Sequence, residues 1–151
     1  MAAIPALPLA AEQLIPQRPP MLLIQRLLEH GDGWGLAEGC LPKESPFADE
    51  GGVLHPMVLV ELMAQGYAAV QGYEDLLLGN PVKLGFLVGL RGVAFPGRAF
   101  SGERLLVRVR RIGALEGFIL AEAAVLRGQD VVSSGVLKLW VSERGPAAEE
   151  A

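Results

Sequence analysis

Residues Val53 to Gly72 read VLHPMVLVELMAQGYAAVQG. Met57, Val58, Leu59, Val60, Leu62, Met63, Ala64, Tyr67, Ala68, Ala69 and Val70 leave no polar side on a helix of 3.6-residue period, and a helix that is apolar all round is a buried one. At about 16 residues the apolar run is too short and too interrupted to span a bilayer, so the rest of the protein must be its solvent. Two polar residues interrupt it, Glu61 and Gln65, and their spacing stacks them on one face. Pro56 suits a first helical turn, where its missing N–H costs nothing, and Gly72 is the expected stop. His55 then stands at the helix entrance, just upstream of Glu61. A carboxylate on an apolar helix with a histidine at its mouth is the chemical content of the chain.

The 151 residues suffice for one domain with a real core. Hydrophobic content is 51% and aromatic content 6%, so that core is built of Leu, Val and Ala, and the apolar excess predicts surface hidden in an oligomer. The net charge is -4, and the one basic group, Arg108, Arg110 and Arg111, would be split between the faces of a strand. Nucleic acid is therefore not an expected partner. A lone Cys40 excludes an intramolecular disulfide, and His30 and His55 are too few for a metal-ligand cluster. There is no Ser-His-Asp set, phosphate loop or nucleotide fingerprint, and no cofactor is expected. The opening MAAIPALPLAAEQ has no Lys or Arg, and no apolar run is long enough for a membrane span. The expected compartment is the cytoplasm.

Residues 1–12 are Ala/Pro-rich and read as an arm, 13–142 as a single domain, and 143–151 as a flexible tail. Glu12 to Pro20 suggests a short helical turn closed by paired prolines. Met21 to Glu29 favours a strand, Gly31, Gly33 and Gly35 mark a turn, and Trp34 to Leu41 alternates as a second strand. Pro42 to Gly52 is loop, and Tyr73 to Pro81 is a connection. Period two then takes over: Leu84 to Ala94, Leu105 to Arg110, Phe118 to Leu126 and Val131 to Val141, with a hairpin turn at Arg127 to Asp130. Strands, one buried helix, then more antiparallel strands make an α+β pattern. A sheet curled round the single helix is the economical way to hide it.

Several segments resemble the bacterial 3-hydroxyacyl-ACP dehydratases of the hotdog fold. LIPQRPPMLLIQRLLE (14–29) is similar to that family's opening, and LVELMAQ (59–65) to its central-helix motif. Phe86 to Leu90, then Phe95-Pro96-Gly97 and Ser101 to Leu105, follow the order of its Phe-x-x-Gly strand and Pro-Gly-acid turn. The central helix is closest to a divergent branch found with aryl-polyene-type pathways, some members of which resemble partner subunits rather than complete enzymes. The resemblance implies a hotdog fold, one long buried helix wrapped by a bent antiparallel sheet, and elimination of water from a 3-hydroxyacyl thioester. In the family a histidine takes the C2 proton, a helix carboxyl from the other subunit protonates the leaving hydroxyl, and backbone amides polarise the carbonyl. The carboxyl maps onto Glu61 and the helix glutamine onto Gln65. The family's histidine loop falls near Phe47, where PFADEGG (46–52) holds no histidine, and its helix-opening glycine is replaced by Pro56.

On this basis Glu61 is the expected acid, against the alternative of a structural carboxyl tied to Gln65. His55 is the expected base, against a capping or packing role. Gln65 supports Glu61; Gly51 and Gly52 offer backbone N–H groups to a thioester oxyanion, against the alternative of a plain turn, and Phe86 and Met63 are candidates to line an acyl tunnel, against the alternative of plain core. The expected substrate is an acyl carrier protein or coenzyme A thioester, and the expected assembly a homodimer or dimer of dimers. A hotdog acyl thioesterase, and a non-catalytic partner subunit or acyl-binding module, stand as alternatives.

Overall fold

A computed structural model of the chain describes residues 3–142. The alternating segments become strands β2 (Ile24–Gly31), β3 (Trp34–Gly39), β4 (Leu84–Ala94), β5 (Leu105–Leu115), β6 (Phe118–Arg127) and β7 (Asp130–Ser142), preceded by a two-residue β1 (Leu9–Ala10) and a 3-10 turn at Ala11–Gln13. The single long helix, α1, spans Pro56–Leu77. All seven strands join one antiparallel sheet in the order β1-β2-β3-β5-β6-β7-β4. Register shifts interrupt β2–β3, β4–β7, β5–β6 and β6–β7, and such bulges bend and twist a sheet. The curved sheet lays β2, β3, β5 and β6 against α1. This is the α+β arrangement expected from the sequence.

The core forms where the inner face of the sheet meets the helix. Leu62, Met63, Leu27, Leu105, Val107 and Leu137 are fully shielded from solvent. Tight hairpins keep the strands in register. Glu116 and Gly117 both have positive φ between β5 and β6, as a two-residue turn matched to the twist of its strands requires. No described helix is long and apolar enough to cross a membrane.

Several boundaries differ from expectation: β2 starts at Ile24 rather than Met21, and Gly31 and Gly35, expected in a turn, lie in β2 and β3. The helix runs past Gly72 to Leu77, because Gly72 is there for close packing rather than as a stop. A Cβ at Gly72 would lie 2.1 Å from the Leu14 carbonyl oxygen. The stop is Gly79, whose φ of 72° supplies the left-handed residue after the last turn. Tyr73 to Leu77, expected as connection, is helix, and β5 continues five residues beyond Arg110. At the other end, Leu9 and Ala10 already pair with Leu27 and Arg26, and the Tyr73 hydroxyl donates to the Pro5 carbonyl at 3.1 Å. The sheet thus begins inside the segment read as an arm. The expected tail, 143–151, lies outside the described residues.

Candidate active site

The helix is buried over most of its circumference, but one stripe is not fully covered. Met57 is exposed, and Glu61, Ala64, Ala68 and Gln71 are half-buried. These positions recur at three- and four-residue steps, so they share one face. Two cavities meet on that face at Glu61. One, of about 230 Å³, is lined by Met21, Leu23, Phe47, His55, Met57, Val58 and Glu61. The other, of about 110 Å³, runs from Glu61 and Gln65 past Ala64 and Ala68 to Gln71, Asp75 and Lys83, with Leu87 of β4 and Leu139 of β7 opposite. Small side chains at 64 and 68 make room for it.

Gln65 fixes the orientation of Glu61. Its Oε1 accepts the backbone N–H groups of Leu23 (2.9 Å) and Ile24 (3.3 Å), which leaves its amide nitrogen to donate. That nitrogen donates to the Met21 carbonyl at 2.6 Å and to Glu61 Oε1 at 2.9 Å. Every hydrogen-bonding site of a buried amide is thereby matched, as burial demands. No cation among the described residues pairs with Glu61. A guanidinium would fix the anion. A neutral amide serves carboxylate and carboxylic acid alike, which suits a group that gives up and regains a proton.

His55 is the N-cap of α1, its extended backbone preceding Pro56 at the first helical position. Its Nδ1 accepts the Met57 N–H at 3.2 Å. The neutral ring therefore carries its proton on Nε2 in this geometry. Capping and catalysis are the two sequence-based alternatives for His55; the structure shows the cap, and His55 is also one of the residues that line the Glu61 cavity.

The other expected residues separate. Gly51 and Gly52 do not line these cavities. Their N–H groups both donate to Asp49, to its carboxylate and its carbonyl, each at 2.9 Å, so in this conformation they serve a turn rather than an oxyanion. Met63 is fully buried core. Phe86 lies on the face of β4 away from the cavity, which receives Gly85 and Leu87 instead. Phe47, at the position where the resemblance called for a histidine, does line the Glu61 cavity.

A second polar group on the helix was missed. The Tyr67 hydroxyl donates to Gln71 Oε1 at 3.1 Å, and Gln71 Nε2 donates to Asp75 Oδ1 at 3.3 Å. Burial pushes the Tyr67 phenol up to about 12, with Arg111 opposing the rise and Glu74 and Asp75 adding to it, so the hydroxyl keeps its proton and the chain of donors runs one way. Lys83 Nζ reaches Asp75 Oδ1 at 3.1 Å. The signal was four-residue spacing from Tyr67 through Gln71 to Asp75, hidden by ending the helix at Gly72.

A family model described as ApeP-like, ApeP dehydratase, matches residues 9–149. Among solved structures, the dehydratase heterocomplex ApeI:P from Xenorhabdus doucetiae is 22% identical with a TM-score of 0.82, over 89% of this chain and 91% of that one. The uncharacterized protein PH1136 from Pyrococcus horikoshii is 21% identical with a TM-score of 0.67, over 93% and 98%. The PaaI protein of the E. coli phenylacetic acid degradation operon is 11% identical with a TM-score of 0.60, over 76% and 80%. At these identities the likeness is one of fold, and the fold is the hotdog. No curated protein matches the chain.

Proposed function

The chain belongs to the ApeP-like dehydratase family, and on that premise we propose that it removes water from a 3-hydroxyacyl thioester to give the trans-2-enoyl thioester. The proton leaves C2, the hydroxyl leaves C3, and the C2–C3 double bond forms. Glu61 is the acid that protonates the departing hydroxyl. The observation that carries this reading is the Gln65 amide, pinned by two backbone N–H groups and holding one Glu61 oxygen while no described residue hydrogen-bonds the other. A carboxyl so held faces a cavity with one oxygen committed and one available, the arrangement proton transfer needs.

His55 is the base in this proposal, acting through Nε2. To accept a proton there the ring must hold its own proton on Nδ1, which gives up the Met57 cap. An N-cap is worth about 1 kcal/mol, small beside the barrier lowering a positioned base provides. The site opens toward β4, the far edge of the sheet, whose Phe86, Leu87, Val88 and Leu90 are exposed. A second hotdog subunit paired along β4 covers that strand and closes the smaller cavity. The acyl group arrives as a thioester of acyl carrier protein or coenzyme A.

The test is turnover of a 3-hydroxyacyl thioester by the purified chain, following enoyl product and free thiol together. The expected result is enoyl product, reduced at least a hundredfold in Glu61→Gln. Free thiol without enoyl would make the protein a thioesterase. Silence from a folded protein, with recovery on mixing with a histidine-bearing relative, would make it a partner subunit, the outcome that Phe47 at the family's histidine position favours.

A further inference from the structure

The Glu61 cavity ends, on the side of the helix N-terminus, at Phe47. Phe47 and His55 line that cavity of about 230 Å³, and both also line a separate groove of about 460 Å³ between residues 46–49 and 53–56. The two residues therefore stand between the two spaces, and removing the larger side chain would join them.

Phe47 is held more firmly than the other walls. Its N–H donates to Ser45 Oγ at 3.2 Å, and its carbonyl accepts the His55 N–H at 2.9 Å. One residue on, Ala48 bridges to Leu54, and the Asp49 carboxylate accepts the N–H groups of Gly51 and Val53, each at 2.9 Å. The half-buried Phe47 side chain packs against the core. With the backbone fixed on both sides of it, only its two side-chain torsions can adjust, and these favour discrete rotamers. Met21 and Met57, on the other walls, are 45% and 54% exposed, and unbranched thioether side chains adapt to what they meet. The shape of the cavity is thus set at Phe47.

The proposed elimination decides what comes up against this wall. His55 takes its proton from C2, so C2 approaches His55, with Phe47 beside it. A C2 bearing only hydrogens asks for no extra room there. An added methyl group presses on a side chain whose backbone cannot retreat without giving up its bond to His55, and overpacking of that kind is costly.

We propose that Phe47 is a specificity-determining residue, which closes the Glu61 cavity beside His55 and restricts the substrate class to acyl thioesters unbranched at C2. This rests on the thioester reading of the Glu61 site.

The experiment measures binding of two saturated acyl pantetheine thioesters to the full chain by titration calorimetry, one unbranched and one with two methyl groups on C2. Neither carries a hydroxyl to lose, so binding is read apart from turnover. The unbranched thioester is expected to bind about tenfold more tightly to the natural chain. Phe47→Ala should erase most of that preference by admitting the branched thioester. Phe47→Leu keeps an apolar contact with the core, guards against a folding failure of the alanine variant, and should narrow the preference part of the way. Equal binding of the two thioesters to the natural chain overturns the Phe47 inference and leaves the dehydratase reading standing. So does an unchanged preference in the folded variants, or one lost only because the unbranched thioester binds more weakly. No binding of either thioester to the natural chain overturns the thioester reading and this inference with it.

Discussion

Gln65 and His55 each serve the backbone and the site at once, and substitutions can separate the two services. Replacing Gln65 by Leu keeps the volume but strips the partner from the Leu23 N–H, the Met21 carbonyl and Glu61 together. Stability should fall by about 2–4 kcal/mol, read by chemical denaturation, because each buried polar group left unmatched costs about 1–3 kcal/mol. Turnover should fall with it even where the variant is fully folded. At His55 the discriminating change is Asn, a strong N-cap residue with no basic nitrogen. His55→Asn should keep the unfolding midpoint while His55→Ala lowers stability by about 1 kcal/mol, and both should lose turnover. An Asn variant that still turns over would confine His55 to its cap. At this scale Glu61 and Gln65 were legible because two polar residues four apart on an apolar helix are hard to miss. Met63 was not separable by hydrophobicity, although two residues turn a helix by about 200° and carry it away from Glu61. Phe86 failed for the strand equivalent of the same reason. β4 is apolar at both parities, so alternation alone does not say which set faces the helix.

The long helix and the strands around it depend on two features that composition conceals. Gly72 lets α1 lie against the Leu14 backbone, where an added Cβ would meet the carbonyl oxygen at 2.1 Å. Alanine is the better helix former by about 1 kcal/mol, but backbone cannot yield as a side-chain tip does, and overpacking costs about 1–3 kcal/mol. Gly72→Ala should therefore destabilise the protein despite its propensity, shown by a lower midpoint in thermal unfolding. The second feature is Glu38 on β3, which accepts from Arg26 of β2 at 3.1 Å and from Arg104, just before β5, at 2.5 Å. Burial by itself would raise the Glu38 carboxyl, and the two guanidiniums, Arg104 above all, more than reverse that and hold it below the ordinary 4.5. A carboxyl depressed in the folded state stabilises above its unfolded value, and that stability disappears as pH falls through the folded value. Glu38→Gln should lower stability at neutral pH and flatten the loss below about pH 4.5 in an acid titration of the unfolding free energy. Strand alternation made β4, β6 and β7 readable nearly to the residue, while β5 ran five residues past its expected end. The helix end was misread because a glycine needed for close approach looks, in sequence, like a glycine needed for a turn.

For the molecule as a whole, the apolar excess noted in the sequence ends up concentrated at one edge of the sheet. Phe86, Val88 and Leu90 are 43%, 51% and 43% exposed on β4, the outermost strand, while β7 covers its other side. An edge strand with unpaired N–H and C=O groups and an apolar face is a template for pairing, and no charge interrupts Leu84 to Leu90 to prevent it. The opposite edge is blunted differently, by a β1 of only two residues. Pairing two chains along β4 would therefore extend the sheet and cover Leu87 and Gly85, the wall of the cavity that leads from Glu61 to Asp75. Val88→Lys places a charge on that edge without touching the cavity lining or the helix. Sedimentation of the natural chain should show a dimer, and Val88→Lys a folded monomer with weakened thioester binding and turnover. A natural chain that sediments as a monomer yet turns over would mean the site is complete within one subunit. A monomer that acquires activity only with a different hotdog subunit would assign β4 to a heterologous partner. The three outcomes differ in sedimentation and turnover read side by side, and only the first leaves the homodimer in place.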